Sequence, residues 1–433
     1  MGLPSASDMN KGLLPRAEAV RLLQSVLRQG ASFDDAFGIA AATGPLSKSS
    51  PSDRRLCYAI VATALRRKGE LDCRLAGVMP KPLPKSAGPA HEILLVTAAQ
   101  LLFMRVPSHA AVSLAVTVAK ANPQAKHFAS LINAVGRKIS SQSFDDNTGT
   151  DPSINTPSWL YRRWRDHYGP STAQAIARAH LEEPPLDLTV LGDPQTWAHR
   201  LHGSPASGQT VRLTAWHGSI ADLPGFAEGQ WWVQDEASSL PARLLGNVKG
   251  KRILDLCAAP GGKTAQLATA GAHVTAIDRS QERMEKLRAN LDRLKVSAET
   301  VICDALEFQS PEPFDAVLLD APCSGTGTIR RHPDLPYHRI PKQIGPLAEL
   351  QHRLLNRCVS LTKPDGLIVF STCSLEPEEG EDQLTRLSSD LRHIPVQESE
   401  FSLTPRWLNA QGCIRTLPNQ GLDGFFAMRL KRV

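Results

Sequence analysis

Apolar positions in the first 140 residues recur at helical spacing. Ala19, Leu22, Leu23, Val26 and Leu27 fall at i, i+3, i+4, i+7 and i+8, which places them on one helix face. Ser50-Pro51-Ser52 reads as the start signal of a second helix over Asp53–Leu75, turning Leu56, Ile60 and Leu65 inward. Glu92–Met104 is apolar nearly all round, as expected for the central helix of a small bundle. Ala110–Ala121 and Phe128–Ile139 predict two more helices, and strand alternation is not visible in this part.

The polar stretch Ser140–Ser158 then predicts a linker. Beyond it a helical pattern covers Trp159–Leu181, followed by short strands at Leu186–Leu191 and Thr210–Leu213. From Arg252 onward the rhythm becomes strand, turn, helix. Ile253–Leu256, His273–Asp278, Thr300–Cys303, Ala316–Asp320 and Leu367–Ser371 are short apolar runs, with helical stretches such as Gln281–Leu294 between most of them. Such alternation builds a parallel sheet covered by helices. The expected chain is therefore multidomain: an all-α bundle over 1–140, a linker over 141–158, a small α+β region over 159–240, and an α/β Rossmann-like domain with a mostly parallel sheet over 241–433.

Composition narrows the setting. With 42% hydrophobic and 21% charged residues among 433, wholesale disorder is excluded. The longest apolar stretch, Ile93–Met104, is too short to cross a bilayer, so no membrane partner is expected. Met1–Pro15 shows no secretory pattern, and a cytoplasmic monomer is the expectation. None of the eight cysteines forms a CxxC pair, which argues against metal and for free thiols. Charge is uneven: residues 1–150 carry +8 and the remainder −2. That asymmetry fits a polyanion-binding module, or a helical domain with a merely basic surface.

Candidate chemistry lies at the strand ends. The first strand of the alternating region runs into Asp255-Leu256-Cys257-Ala258-Ala259-Pro260-Gly261-Gly262-Lys263-Thr264, whose small residues let a backbone approach a ligand at a helix N-terminus. Asp278, Asp304 and Asp320 end or follow the next three strands. Any one of them alone reads equally as a helix cap. Asp320-Ala321-Pro322-Cys323-Ser324-Gly325-Thr326-Gly327 and Ser371-Thr372-Cys373-Ser374 place two thiols at the carboxyl ends of adjacent strands, where ligands sit in such sheets. Cys57, Cys73, Cys303 and Cys358 are expected to be buried small hydrophobes.

Together, DLCAAPGGKT, DAPCSGTG and STCS resemble the signature loops of class I RNA cytosine-C5 methyltransferases, with the resemblance extending to Asp423-Gly424-Phe425-Phe426. The basic helical third, with Arg54-Arg55 and Arg66-Arg67, looks like a NusB-type RNA-binding domain. The pairing resembles the bacterial Fmu/Sun family, which acts on 16S ribosomal RNA. The resemblance implies S-adenosyl-L-methionine bound across Cys257, Ala258, Ala259, Pro260, Gly261, Gly262 and Lys263, with Asp278, Asp304 and Asp320 beside it. It further implies Cys373 as nucleophile toward cytosine C6, Cys323 as the residue assisting release, Asp320 near cytosine N3, and Lys263 orienting the base. The residues themselves do not rank the two thiols, and in DNA cytosine-C5 enzymes the Pro-Cys thiol attacks. Transfer RNA as substrate, or a non-catalytic RNA-binding assembly or antitermination factor, are the alternatives.

Overall fold

The computed structural model describes residues 12–141, 151–216, 218–400 and 405–433. They fall into two compact units that are not contiguous in sequence. One holds the described residues up to Arg165 with Ala173–Leu181 and His332–His338, and the other holds Asp166–Thr172, Glu182–Arg331 and Arg339–Val433. Among the described residues no helix is long and apolar enough to cross a membrane.

The first unit is helical. Helices α1 (Leu13–Gln29), α2 (Phe33–Ala42), α3 (Pro51–Arg66), α4 (Lys68–Val78), α5 (Ala90–Leu102), α6 (Ser108–Ala121) and α7 (Ala129–Ser141) contribute to one core. Ala19, Leu22, Leu23 and Val26 lie inside it as the stripe predicts, with Leu27 half-buried at the edge. α3 starts where Ser50 Oγ accepts from the Asp53 N–H at 3.1 Å and Pro51 fills the first turn.

The single helix expected over Asp53–Leu75 is two. Arg67 leaves helical geometry at φ −108° and ψ 15°, with its guanidinium 4.6 Å from the Phe103 ring centroid. The break lets Gly69 meet the Ile154 carbonyl so closely that a Cβ would lie 1.8 Å from its oxygen. Asn155 Oδ1 accepts from the Glu70 N–H at 2.9 Å. Pro152–Asn155, within the stretch read as linker, is thus a packed turn. The rest of that stretch, 142–150, lies outside the described residues.

The helix expected over Trp159–Leu181 is also divided, into α8 (Ser158–Tyr168) and α9 (Pro170–Ala179). Gly169, at φ +82°, ends the first, and Pro170, which cannot continue a helix but opens one well, starts the second.

The second unit contains two sheets. In the smaller, β1 (Leu186–Val190), β2 (Ser204–Pro205), β3 (Thr210–Leu213) and β4 (Trp231–Val233) run antiparallel in the order β2-β3-β1-β4. Helix α10 (Pro194–Leu201) packs on it through Trp197 and Leu201, and α11 (Glu236–Arg243) follows. The larger sheet is built from β5 (Arg252–Leu256), β6 (His273–Asp278), β7 (Glu299–Ile302), β8 (Phe314–Asp320), β9 (Thr362–Thr372), β10 (Leu391–His393), β11 (Ile414–Thr416) and β12 (Phe425–Arg432). Helices α12 (Gly262–Thr269), α13 (Gln281–Leu294) and α14 (Ile344–Leu361) connect its strands.

Its order is β10-β12-β9-β8-β5-β6-β7, with β11 added on β12. β9, β8, β5, β6 and β7 are parallel, while β12 pairs antiparallel with β9, β10 and β11. This is the mostly parallel Rossmann-like sheet that the alternation predicts. Ile253, Leu254 and Leu256 of β5 and Val317, Leu318 and Leu319 of β8 are fully buried, as strands covered on both faces require. β9 is longer than its apolar run because turn-like Lys363-Pro364-Asp365-Gly366 is absorbed as a bulge, the register stepping from Phe314↔Thr362 to Ala316↔Leu367. Strand order reverses at β5, which opens a crevice at the carboxyl ends of β5 and β8.

Candidate active site

β5 runs directly into the loop before α12. Cys257 adopts φ +61° and Gly261 φ +102°, and a Cβ on Gly261 would lie 2.6 Å from Leu287 Cγ, so only glycine fits there. Asp278, buried at the end of β6, holds this loop: its Oδ2 accepts from the Ala259 N–H at 3.2 Å and its Oδ1 from the Ser280 N–H at 2.9 Å. Small residues at 258, 259, 261 and 262 leave the loop backbone bare, and the first-turn N–H groups of α12 have no partner within the helix. Such a cradle fits the carboxylate end of an amino-acid-like ligand. Asp304, after β7, is exposed, and its Oδ1 accepts from the Leu306 N–H at 2.8 Å as a local cap.

Burial, reinforced by the carboxylates of Asp278, Asp320 and Asp255, pushes the half-buried Cys257 thiol up to about 12. The thiol form of Cys257 is therefore favoured at neutral pH. Asp255 is completely buried, and that burial raises its carboxyl to about 7 against the opposing pull of Thr264 and Lys263. Its Oδ2 accepts from Thr264 Oγ1 at 2.6 Å, while its Oδ1 has no hydrogen-bond partner.

Asp320 and Lys263 meet across the crevice. Lys263 Nζ donates to Asp320 Oδ2 at 2.7 Å and lies 4.9 Å from the Phe425 ring centroid. Ser371 Oγ donates to Asp320 Oδ1 at 2.9 Å, which fixes the carboxylate plane. A third of the Asp320 side chain (33%) remains open to an incoming group.

Cys323 and Cys373 follow β8 and β9, and their Sγ atoms lie 3.4 Å apart, both half-buried. The loops carrying them are tied by Ala321 N–H donating to Ser371 O at 2.9 Å and Gly327 N–H donating to Cys373 O at 3.0 Å. The Cys323 thiol is held well above its ordinary range, first by its hydrogen bond to Cys373, then by burial and by the nearby charges of Cys373 and Glu379.

Several residues around the site carry no motif signal. Arg330 and Arg331, beyond the Cys323 loop, both place Nη2 2.6 Å from Asp235 Oδ2, and Arg331 Nε lies 2.9 Å from Asp423 Oδ2. Two cations thus face two buried carboxylates, so the cluster is balanced in charge and anchors the loop's far end. Of the other cysteines, Cys57 and Cys358 are buried as expected. Cys73 is exposed on α4 and Cys303 is half-exposed just beyond edge strand β7, which corrects the expectation that both are core residues.

Comparison with known proteins bears on this arrangement. Residues 242–431 match the family described as 16S rRNA methyltransferase RsmB/F, and residues 14–141 match the NusB family. The ribosomal RNA small subunit methyltransferase B of Shewanella oneidensis is 33% identical over 440 residues, spanning 96% of this chain and 98% of that protein. The protein of the same name from Xylella fastidiosa is 33% identical over 98% of this chain and 99% of its own. The chain belongs to the RsmB/F family. A solved methyltransferase homolog from Pyrococcus horikoshii is 28% identical, with a TM-score of 0.56 over 65% of this chain and 98% of its own. Every motif quoted from the second half of the sequence falls within the RsmB/F match.

Proposed function

We propose that this member of the RsmB/F family methylates C5 of a cytosine in 16S ribosomal RNA, with Cys373 forming a covalent bond to C6. The observation that carries this reading is the pair of thiols 3.4 Å apart at the carboxyl ends of β8 and β9, beside the Lys263–Asp320 pair. A single reactive cysteine fits many acyl-transfer or redox chemistries. Two thiols converging beside a carboxylate in a methyltransferase sheet fit addition to, and release from, a pyrimidine ring.

The cofactor is S-adenosyl-L-methionine, which supplies an electrophilic methyl group. Cys257–Lys263, Asp278, Asp304 and Asp320 are the residues proposed to hold it, the loop taking the methionine end and the aspartates the ribose and adenine. Because Asp278 already binds the loop N–H of Ala259, part of its contribution is to fix the loop.

Cytosine C5 is too electron-poor to attack a methyl sulfonium unaided. Addition of the Cys373 thiolate at C6 makes C5 enamine-like and nucleophilic. Asp320 faces N3 and accommodates a proton there, while Lys263 orients the carboxylate and adds positive charge to the site. Once C5 carries its methyl group, solvent water takes the C5 proton, the C–H electron pair re-forms the C5–C6 double bond, and the Cys373–C6 bond breaks to return the thiolate. Cys323, whose thiol form is favoured by its surroundings, lies 3.4 Å away and assists by donating to the departing Cys373 sulfur. The NusB-like residues 1–140 are proposed to bind RNA, with 159–240 as a small recognition region before the catalytic residues 241–433.

Mapping 5-methylcytosine in ribosomal and transfer RNA, from cells with and without this protein, tests the reading. Loss of the mark at one 16S cytosine is the expected result. Loss only in transfer RNA would move the substrate, and no loss would contradict the chemistry.

A further inference from the structure

Glu379 is completely buried in a short turn after Cys373, where a carboxylate needs partners on every side. It has them, and all but Gln351 flank the two cysteines. Its Oε1 accepts from the Ser324 N–H at 2.9 Å and from Gln351 Nε2 at 3.0 Å. Its Oε2 accepts from Ser374 Oγ at 2.6 Å and from Ser324 Oγ. Its backbone carbonyl accepts from Thr372 Oγ1 at 2.8 Å. Gln351 extends the clamp by donating to Pro322 O at 2.9 Å. The residues before and after Cys323, and those before and after Cys373, are therefore gripped by one side chain, its own backbone and a single relay.

We propose that Glu379 is the positioning residue that holds the two cysteine loops in the register where their Sγ atoms meet. The role rests on the covalent reading above, because only that chemistry needs both thiols at one carbon–carbon bond. Every group on the Glu379 oxygens is a donor, so an ionised carboxylate is the chemical fit. Its charge also favours the protonated thiol at Cys323 over a second thiolate beside Cys373. One buried group thus holds the spacing and adds to the hydrogen bond and burial that divide the labour.

The test uses the full chain with Glu379→Ala and Glu379→Gln. Phenylarsine oxide bonds to two adjacent thiols through arsenic and loses its oxygen as water, so its affinity reports the Sγ–Sγ spacing without RNA or cofactor. Cys373→Ala supplies the baseline for a site with only one of the two thiols. Glu379→Ala should weaken arsenical binding about tenfold, since a loosened pair has a lower effective concentration. It should also lower kcat about a hundredfold, the scale expected for a misplaced reacting group, with KM for RNA and cofactor near native. Glu379→Gln keeps the shape and remains available if the alanine variant unfolds. It should retain arsenical binding, while alkylation of Cys323 moves to lower pH. Native arsenical affinity in a folded Glu379→Ala, or an unmoved Cys323 alkylation profile in Glu379→Gln, overturns the proposal. Absence of any RNA adduct in Cys323→Ala would instead overturn the covalent reading, because the arsenical titration stands apart from it.

Discussion

Lys263 Nζ and Asp320 Oδ2 lie 2.7 Å apart, the lysine 9% exposed and the carboxylate open along one edge. The pair is thus oriented before any base arrives, with Ser371 fixing its far oxygen. Asp320→Asn should lower kcat by about a hundredfold or more, the scale of a lost acid–base partner. Single-turnover methylation of RNA checks this, and a rate indistinguishable from native would remove Asp320 from the chemistry.

Asp278, at the end of β6, holds the cofactor loop through the Ala259 N–H and its own turn through the Ser280 N–H. Asp278→Ala leaves those donors without their acceptor, a loss of about 1–3 kcal/mol. Cofactor affinity should fall roughly tenfold or more, as read by calorimetric titration. Undiminished affinity would show that the loop holds itself.

Asp255 gives the fold a pH signature. Its carboxyl is raised to about 7 by burial, so the neutral form is the one the folded state prefers. The stability this provides is complete below the ordinary aspartate range near 4 and is lost as pH rises through 7. At roughly 1.4 kcal/mol per pH unit, the loss by pH 8 is on the order of 4 kcal/mol. Thermal melting between pH 4 and 8 should therefore show a downward slope that Asp255→Asn flattens. An equal slope in both proteins would assign the effect to other groups.

Arg55, Arg137 and Lys138 are exposed on the helical unit that carries the excess positive charge. Replacing all three with alanine should weaken RNA binding and flatten its dependence on salt, by about one unit of log–log slope for each phosphate no longer neutralised. Filter binding across a salt series measures this. An unchanged slope would place the RNA footprint elsewhere.

Much of the catalytic sheet is legible in the sequence because buried parallel strands are unbroken apolar runs, as at Ile253–Leu256 and Ala316–Asp320. The thiol pair is legible for the same reason, since Cys323 and Cys373 close adjacent runs. Glu379 is not. Within Glu-Pro-Glu-Glu-Gly-Glu-Asp it looks solvated, and its burial depends on Ser324 and Gln351, 55 and 28 residues away, as well as on nearby Ser374. Asp304 is ambiguous in sequence, since a strand-end carboxylate looks the same whether it meets a ligand or caps Leu306. The helix break at Arg67 depends on how closely Gly69 approaches Ile154, a tertiary approach with no local sign. The break at Gly169-Pro170, by contrast, carries the ordinary stop and start residues and is legible locally.

The central claim is that the two thiols, 3.4 Å apart, do different things to one cytosine. The direct measurement is denaturing electrophoresis of Cys323→Ala and Cys373→Ala after incubation with cofactor and substrate RNA. Cys323→Ala should attack, transfer the methyl group and stall, leaving a protein–RNA adduct that survives denaturation. Cys373→Ala should form no adduct and no 5-methylcytosine. A stable adduct with Cys373→Ala, and none with Cys323→Ala, would contradict the assignment and exchange the two roles.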